Sequence, residues 1–372
     1  MSSTSLGAKR QAIGLDIGTD HLRVAQIKRS GSGGVLEAYG RIETPAGAVV
    51  DGEITNVAAV SAAIGTLMQR THIHGKDVCT GVANQRVVVR LIDMPPLESA
   101  DLKSAIQFQA QEYIPMAVED AVIDFQAVGE YTVGTDQRML EVVLAAADRG
   151  MIGNVVAAVE GAELRPVKID VSSFALVRAL LGDPVTPVLS DGGATTAIVH
   201  IGSGLTTIAI VERGYPRFNR VSSLGGKALT AGVASDLGVE FGQAEALKIA
   251  VGLPGEASGP VSVAGIDAER VATVQTALVR EAGKFVAEIR RSLDYYLTQS
   301  SHAKRVDRII LSGSGSALPG LAPFLKSHLQ TDVIVGDPLS QITLTAGAKA
   351  IVDADALGCV TAIGLALGGL QA

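Results

Sequence analysis

The sequence is poor in cysteine, has no excess of basic residues and lacks a long apolar run. Its two cysteines, Cys79 and Cys359, lie far apart in the chain, so they define neither a disulfide framework nor a spaced metal site, and a reducing compartment is the simpler expectation. The 38 acidic and 31 basic residues give a net charge of −7, which disfavours broad binding to nucleic acid or to anionic lipid. Local basic patches and small or neutral partners remain open.

The longest charge-free apolar stretch, residues 356–370, is shorter than the roughly 20 residues that a membrane-spanning helix needs. Its glycines favour a helix packed closely in a core, and it lacks the cationic face of a helix that lies on a membrane; membrane contact is the alternative. Residues 1–10 have no apolar core of the kind a secretory signal needs, and we expect them to form a short disordered tail.

The length of 372 residues and the apolar content of 47% predict two or more compact domains. The first folded segment is typical of an antiparallel meander, with AIGLDIG and HLRVAQI joined by a tight glycine turn and a third strand at VLEAYGRI. Asn56 then caps a helical pattern over residues 57–70. A distinct block over residues 77–163 predicts a small inserted α/β domain, in which one helix ends before Pro115.

The second half of the chain repeats the opening pattern. AIVHIGSG is followed by TTIAIVERG and PRFNRVSSLGG, and residues 16–19 align with residues 200–203 at an offset of 184 positions. An internal duplication is therefore expected. Further on, the pattern predicts a long helix over residues 268–300, then the strand IILSG and a third glycine turn that ends at Gly320.

Two hairpins that end in small-residue bends can face each other across a cleft and direct backbone amides at phosphates. We expect Gly18, Gly202 and Gly204 to allow close approach of the backbone, and the hydroxyl groups of Thr19 and Ser203 to donate to phosphate oxygens. Two further contacts are expected from the first hairpin: Asp16 would act through Mg²⁺ and its bound water, and Arg23 would add a charge-assisted contact.

The alternative is that DIGT and HIGSG are ordinary hairpin turns, since short glycine motifs are weak signals when they occur singly. Their repetition, together with a third glycine turn over residues 311–320, favours the phosphate-binding interpretation. The third turn could accept the adenosine end of a nucleotide.

Arranged in this order, the three turns resemble those of the actin-like ATPase superfamily, and the chain resembles its PilM family of type IV pilus assembly proteins from about Ile13 to Leu370. The similarity is carried by GLDIGTDHLRVAQI, QFQAQEYIPMAVEDAVIDFQ, SLGGKALT, AEALK, LSGSGSALPGLAPFL and TAIGLAL. The stretch from MPPLE to EYIP is the most specific part, because general actin relatives do not carry it.

The resemblance implies an α/β, actin-like (ribonuclease H-like, duplicated) two-lobed fold with a small inserted α/β subdomain. The expected boundaries are 12–76 with 164–190 for the first lobe, 77–163 for the inserted partner-binding subdomain, 191–352 for the second lobe, and 353–372 for a C-terminal helix that returns to the core. It also implies residues that line a nucleoside pocket, namely Gly226, Lys227, Glu245, Lys248, Gly313, Ser314 and Gly315. Glu245 and Lys248, three apart on a predicted helix, could instead form a solvated surface pair.

One residue departs from the family pattern. Relatives begin the second phosphate motif with aspartate, whereas this chain has His200, and neutral imidazole is a poorer Mg²⁺ ligand than carboxylate. Binding of ATP with Mg²⁺ is therefore expected, with weak or absent hydrolysis. Asp191 could compensate if the chain bends back, or it could be an acidic turn residue; His200 could act as a general base or be structural.

The function that the resemblance implies is that of a cytoplasmic ATP-binding adaptor of the type IV pilus inner-membrane complex. It would bind the N-terminal cytoplasmic tail of PilN, which would lie between the inserted block and the first lobe, and be recruited to the inner face of the membrane through this partner. The alternatives are a metabolic phosphotransferase with the same ribbons, for which no catalytic carboxylate in a sugar site is evident, and a cell-division scaffold resembling FtsA.

Overall fold

The computed structural model describes residues 11–30, 33–134, 137–183, 186–187, 194–212, 214–255, 263–299 and 303–370. The expected N-terminal tail and Asp191 lie outside these residues.

The strands, in chain order, are β1 (Gln11–Ile17), β2 (His21–Ser30), β3 (Gly33–Glu43), β4 (Val49–Val50), β5 (Glu53–Ile54), β6 (Asp77–Val82), β7 (Val88–Met94), β8 (Ala121–Val133), β9 (Gln137–Asp148), β10 (Arg165–Val171), β11 (Gly182–Asp183), β12 (Thr186–Pro187), β13 (Thr196–Ile201), β14 (Thr206–Glu212), β15 (Tyr215–Ser222), β16 (Arg308–Ser312), β17 (Asp332–Val335) and β18 (Ile342–Leu344).

The helices are α1 (Val57–Thr71), α2 (Ser99–Tyr113), α3 (Arg149–Gly161), α4 (Ser172–Leu181), α5 (Gly226–Leu237), α6 (Phe241–Val251), α7 (Ala268–Gln299), α8 (Leu321–Leu329), α9 (Ala346–Asp353) and α10 (Val360–Gly369). In the part of the chain that the structure describes, none of these helices has both the length and the apolar content that crossing a membrane requires.

Several local predictions are confirmed. The side chain of Asn56 accepts a hydrogen bond from the amide of Ala59 and so caps α1. α2 ends at Tyr113, because Ile114 precedes a proline and adopts an extended conformation. The long helix α7 buries a stripe of residues at helical spacing, including Phe285 and Ile289.

The duplication is visible in the order of the strands. The first lobe contains a six-stranded sheet with the order β10-β6-β1-β2-β3-β18, and the second contains a five-stranded sheet with the order β17-β16-β13-β14-β15. Apart from β18, each strand of the first sheet has a counterpart at the same place in the strand order of the second sheet. The hairpin registers also correspond, since Asp16 pairs with Arg23 in the first lobe and His200 pairs with Thr207 in the second, both shifted by the predicted 184 positions.

The inserted unit is a three-stranded antiparallel sheet, β7-β9-β8, covered by α2 over its own core. It is smaller than the expected block of 77–163. β6 pairs in parallel with β1 and β10, and α3 packs with α1 on the first-lobe sheet, so both ends of that block belong to the first lobe. Sheet pairing favours the narrower range of 88–148 for the insertion.

The C-terminal part of the second expected lobe also joins the first. β18 pairs in parallel with β3, and α9 packs beside it, although the range 191–352 assigned both to the second lobe. This pairing links residues about three hundred positions apart, a distance over which local sequence patterns carry no information about pairing.

The two lobes meet through α4 and α10, which lie between the two sheets in one continuous core. Buried residues of α4 and α10, such as Leu176 and Ile363, share this core with Ala25 of the first sheet and Ile198 of the second. The prediction of a packed C-terminal helix is confirmed, because α10 is buried along nearly its whole length.

Gly364 of α10 is required where α10 crosses α4. A Cβ atom at this position would overlap the carbonyl oxygen of Ala175, a backbone atom that cannot rotate away. We expect Gly364→Ala to lower the free energy of unfolding by about 1–3 kcal/mol, as measured by urea denaturation. Gly283→Ala is the matched control, because Gly283 lies in the exposed interior of α7 with open space around it, and there alanine should stabilise by up to about 1 kcal/mol. Equal effects of the two substitutions would contradict this account of the lobe junction.

Candidate functional site

The candidate site is a cleft between the lobes, formed where each duplicated hairpin bends. In the first bend, residues 18–20, the amide of Gly18 donates to the carbonyl oxygen of His21 at 3.1 Å. In the second, residues 202–205, the amide of Gly202 donates to the carbonyl oxygen of Leu205 at 2.8 Å. A Cβ atom on Gly18 would lie 2.8 Å from the His21 oxygen, so the tight turn itself requires this glycine.

Both bends line the same cleft, which has an empty volume of about 930 Å³ including its open mouth. This confirms the prediction on which the phosphate-binding interpretation depends, that the two repeats converge on one cavity. The predicted residues that line the cleft are Asp16, Gly18, Thr19, Arg23, Gly202, Ser203, Gly204 and Ser314.

Several backbone amides at the two bends take no part in the hairpin hydrogen bonds. Among the described residues, the amides of Thr19, Asp20, Ser203 and Gly204 donate to no protein acceptor. Successive amides of this kind form concave anion-binding surfaces. The amides of Gly18 and Gly202 close the two turns. The backbone amides of the residues that follow these glycines are therefore the donors available for phosphate.

The two bends are in contact across the cleft. A Cβ atom on Gly204 would lie 3.0 Å from Oγ1 of Thr19, and Nζ of Lys227 forms an ion pair with Oδ1 of Asp20 at 2.7 Å. Burial raises the pKa of Asp20, but the ion pair with Lys227 outweighs this effect and lowers it overall. A phosphate group between the bends would therefore require the lobes to separate at this point.

Arg23 lines the cleft, but its guanidinium group is bound to a residue from the far end of the chain. Its Nε atom donates to Oδ2 of Asp355 at 2.7 Å, and both side chains are almost fully buried. The hydroxyl group of Tyr39 and Nη1 of Arg41 bind the same carboxylate, at 2.5 and 2.9 Å. In this structure the Arg23 guanidinium group is held by a buried ion pair with the segment between α9 and α10, and its contact with phosphate stays a prediction.

Asp16 is a partly buried carboxylate that lines the cleft. Burial raises its pKa from 3.8 to about 6, an effect that the positive charge of Arg23 opposes and the negative charge of Asp355 reinforces. Asp16 is consequently ionised at neutral pH at a cost in free energy. A partly desolvated anion that faces a cleft is suited to a cation or a cation-bound water.

His200 occupies the equivalent position in the second repeat. Burial, with a contribution from the charge of Arg23, lowers its pKa to about 4, and its Nδ1 atom lies 3.1 Å from Oγ of Ser312. The imidazole is neutral at physiological pH and is a weak base. The geometry favours a structural role for His200 over the general-base alternative.

The pKa of His200 predicts a sensitivity of the fold to acid. Because the folded protein binds this proton less tightly than the unfolded chain does, His200 lowers stability as the pH falls from about 6.5 to about 4. The variant His200→Gln lacks this titrating group. We therefore expect the stability of the variant relative to the unsubstituted protein to be higher near pH 4 than at neutral pH, by on the order of 3 kcal/mol. Urea denaturation at both pH values measures this difference, and its absence would show that His200 is accessible to solvent.

The third glycine turn and the start of α5 lie directly behind the second bend. The amides of Gly226 and Lys227 donate to the carbonyl oxygens of Gly202 and Ser203, at 2.8 and 2.9 Å. In the third turn, Gly313 has a φ of 88° and donates to the carbonyl oxygen of Leu357 at 3.0 Å. Gly315 packs against Ile201 and Gly226, so of this turn it is Ser314 that lines the cleft itself.

Glu245 and Lys248 are not among the residues that line the cleft in the described structure. Nζ of Lys248 lies 2.7 Å from Oε2 of Glu245 and 3.1 Å from Oγ1 of Thr230, whose hydroxyl also donates to Glu245. The Lys248 side chain is buried, whereas that of Glu245 is 40% exposed, so the pair is solvated on the side of the carboxylate only. These residues join α6 to α5 behind the cleft.

Several residues of the site were not predicted, among them Asp20, Asp355, Gly358 and Ser312. Asp20 could have been found, because it is the acidic residue that directly follows Thr19 in the first motif. Asp355, Gly358 and Ser312 had no local signal, since each acts through a partner from a distant strand. A Cβ atom on Gly358 would meet Nη2 of Arg23 at 2.6 Å, so this glycine makes room for the ion pair.

Comparison with solved structures assigns the fold to the actin-like class. The ethanolamine utilization protein EutJ from Carboxydothermus hydrogenoformans superposes with a TM-score of 0.52 at 16% identity, covering 96% of this chain and 90% of that one. MreB5 of Spiroplasma citri bound to AMPPNP superposes with a TM-score of 0.50 at 13% identity, covering 96% and 95%. The duplicated sheets and the interlobe cleft are the features that define this class.

The family model described as type IV pilus assembly protein PilM matches residues 14–370, and the chain belongs to this family. A solved PilM-PilN type IV pilus biogenesis complex is similar over 98% of this chain and 100% of that one, with a TM-score of 0.80 and 24% identity. The cell division protein FtsA of Enterococcus hirae is 24% identical over 335 residues, covering 83% of this chain and 74% of FtsA.

Proposed function

We propose that this protein is an ATP-binding assembly factor of the type IV pilus inner-membrane complex that binds the N-terminal cytoplasmic tail of PilN. The main observation in support of nucleotide binding is that the two bends line one cleft. Membership of the PilM family and the likeness to a solved PilM-PilN complex support the partner. The protein would act in the cytoplasm and reach the inner face of the membrane through PilN.

The residues of the cleft fit a nucleotide with a divalent cation. Amides that follow Gly18 and Gly202 would bind phosphate oxygens, and Ser314 would lie towards the nucleoside. Asp16 would hold Mg²⁺ through a bound water, since a hard cation prefers carboxylate oxygen. Bound Mg²⁺·ATP would supply the negative charge that the amides of the two bends are suited to bind.

Slow or absent hydrolysis is part of the proposal. His200 stands where a second carboxylate is expected, and its low pKa makes it a neutral group of weak basicity. It supplies neither negative charge for metal-bound water nor an effective proton acceptor. Brisk turnover of ATP by the purified protein would contradict this part of the proposal.

Calorimetry with Mg²⁺·ATP tests the cleft directly. We expect Ser203→Asp to weaken binding at least about tenfold, because a carboxylate would then face the phosphates. Ser327→Asp is the matched control, since it adds the same charge on the exposed surface of α8, far along the chain from the bends. Equal affinity of the two variants, or no affinity of the unsubstituted protein, would remove the nucleotide from the proposed site.

Co-purification with an immobilised PilN tail peptide tests the partner. A scrambled peptide of the same composition is the control. Retention by the authentic tail alone supports the proposal, whereas equal retention on both peptides contradicts it.

The similarity to FtsA makes a cell-division scaffold the second candidate. Assembly into filaments on vesicles of anionic lipid, without any PilN peptide, would favour that candidate. A sugar-kinase-like phosphotransferase would instead show ATP consumption that depends on a small-molecule substrate.

A further inference from the structure

A half-exposed ion pair joins the two lobes at the bends that line the cleft. Nζ of Lys227, at the start of α5 in the second lobe, lies 2.7 Å from Oδ1 of Asp20 in the first bend. The two side chains are 45% and 44% exposed. Asp20 lines the cleft together with Ser203 of the second bend. The pair therefore lies beside the residues that are expected to bind phosphate.

Each partner of this ion pair is fixed to its own lobe. The carbonyl oxygen of Asp20 accepts the amide of Thr44, which follows β3, at 2.9 Å. The hydroxyl group of Thr44 also donates to the carbonyl oxygen of Gly18 at 2.7 Å. On the other side of the cleft, the amide of Lys227 donates to the carbonyl oxygen of Ser203 at 2.9 Å. The ion pair is consequently a contact between the lobes, and it must break when the lobes separate at the bends.

The groups that bind the Asp20 carboxylate are groups that a nucleotide would use. Burial raises the pKa of Asp20, whereas hydrogen bonds from Lys227 and from the hydroxyl group of Ser203 lower it, and the pKa is lower overall. The Ser203 hydroxyl is an expected donor to phosphate, and Lys227 belongs to a turn that is expected to line the nucleotide. A carboxylate and a phosphate group both present anionic oxygens to such donors. Asp20 therefore takes the place of a phosphate group at the second bend.

Exposure makes this ion pair easy to open. The side chains of Arg23 and Asp355 are 9% and 4% exposed, so opening their ion pair would leave a buried charge without its partner. Asp20 and Lys227 are each in contact with water, and pairs as exposed as theirs contribute little to stability. Of these two ion pairs, the one between Asp20 and Lys227 is the one that a ligand can displace.

We propose, on the basis of the nucleotide binding proposed above, that Asp20 is an intramolecular competitor of the nucleotide phosphates. In the free protein it occupies Ser203 and Lys227, and Mg²⁺·ATP must displace it from both. Lys227 would then bind a phosphate oxygen in place of the carboxylate. Because Asp20 stays at the bend, its negative charge also repels the phosphates. Asp20 thus lowers the affinity of the cleft for nucleotide.

Calorimetry with Mg²⁺·ATP and the variant Asp20→Ala tests this competition. Alanine suits the bend, because Asp20 does not adopt a left-handed backbone conformation. We expect the variant to bind at least about fivefold more tightly than the unsubstituted protein, since the donors are free and the repulsion is removed. This gain should become smaller at high salt, because half-exposed charges are screened.

Asp332→Ala is the matched control. It breaks an ion pair with Lys326 of the same length, 2.7 Å, between side chains that are 53% and 59% exposed. It also makes the same change in net charge, but at β17 and α8 rather than at the bends. We expect its affinity for Mg²⁺·ATP to equal that of the unsubstituted protein.

Lys227→Met should have the opposite effect to Asp20→Ala. It removes a cation and leaves the charge of Asp20 without a partner beside the phosphates, so we expect binding to be at least about fivefold weaker. Urea denaturation should give nearly the same midpoint for both variants as for the unsubstituted protein. If the midpoint of Asp20→Ala is lower, Asp20→Asn, which keeps the shape of the side chain, takes its place in the comparison.

Tighter binding by Asp20→Ala, without a gain in Asp332→Ala, supports the proposal. Equal affinity of Asp20→Ala and the unsubstituted protein, an equal gain in Asp332→Ala, or tighter binding by Lys227→Met would overturn it and leave the proposed function in place. Absence of Mg²⁺·ATP binding by all of these proteins would reject the proposed nucleotide binding, and the competition with it.

Discussion

Asp355→Ala is expected to lower the free energy of unfolding by about 3–5 kcal/mol, one of the two largest effects that we predict. The substitution would leave the guanidinium group of Arg23, which is 7% exposed, without its carboxylate partner in a desolvated position. It would also remove the acceptor of the Tyr39 hydroxyl group. Breaking one side of a buried ion pair costs more than the pair itself contributes, because the remaining charge stays buried.

Urea denaturation at neutral pH measures this loss, and a double variant provides the control. Arg23→Met combined with Asp355→Leu replaces both charges with apolar groups, and we expect it to recover most of the stability. A loss of less than about 1 kcal/mol for Asp355→Ala would be typical of an exposed pair and would contradict the burial described here.

Asp355 also predicts how this part of the fold responds to acid. Burial raises its pKa, but the hydrogen bond and charge of Arg23 outweigh burial and hold the pKa below the ordinary value of 3.8. The stabilisation by Asp355 is therefore present above the ordinary value and is lost as the pH falls through the lowered pKa.

Asp16→Asn is expected to have the opposite effect on stability and to weaken nucleotide binding. The folded protein binds the Asp16 proton more tightly than the unfolded chain does, so ionisation of Asp16 costs stability above a pH of about 6. Removal of the charge should therefore stabilise the protein at neutral pH by on the order of 3 kcal/mol, and this gain should shrink to nothing as the pH falls below 3.8.

The same substitution should lower the affinity for Mg²⁺·ATP by at least about tenfold, because an amide cannot replace the charge of the carboxylate beside the cation. Thermal unfolding and calorimetry on one preparation measure both effects. Greater stability with unchanged affinity would show that Asp16 does not act through the metal. Lower stability would show that its carboxylate serves the fold, as that of Asp355 does.

Local patterns predicted the parts of the molecule that form through neighbouring residues. The two hairpins, the cap at Asn56, the end of α2 before Pro115 and the length of α7 each depend on hydrogen bonds or periodic burial within a few residues. The duplication was equally accessible, because both repeats use the same residue types at the same spacing. From it followed the convergence of the bends on one cleft.

Tertiary contacts decided the rest of the candidate site. Arg23 lines the cleft as predicted, but its partner Asp355, which lies 332 residues further on, was not indicated by any local pattern. Glu245 and Lys248 were expected at the nucleoside, yet they bind Thr230 between two helices. In each case the residue type was informative about charge, but the partner depends on which distant element packs beside it.

The sequence by itself determined the two-lobed duplicated fold, the positions of the glycine bends and the family, because these features are carried by local spacing and repeated motifs. Only the tertiary structure decided that β6 and β18 complete the first sheet, that Asp355 neutralises Arg23, and that an ion pair spans the cleft between the lobes. The physical reason is the range of the interactions. Turn and helix geometry is set within a few residues, whereas strand pairing and the burial of charge depend on segments that meet only after the chain has folded.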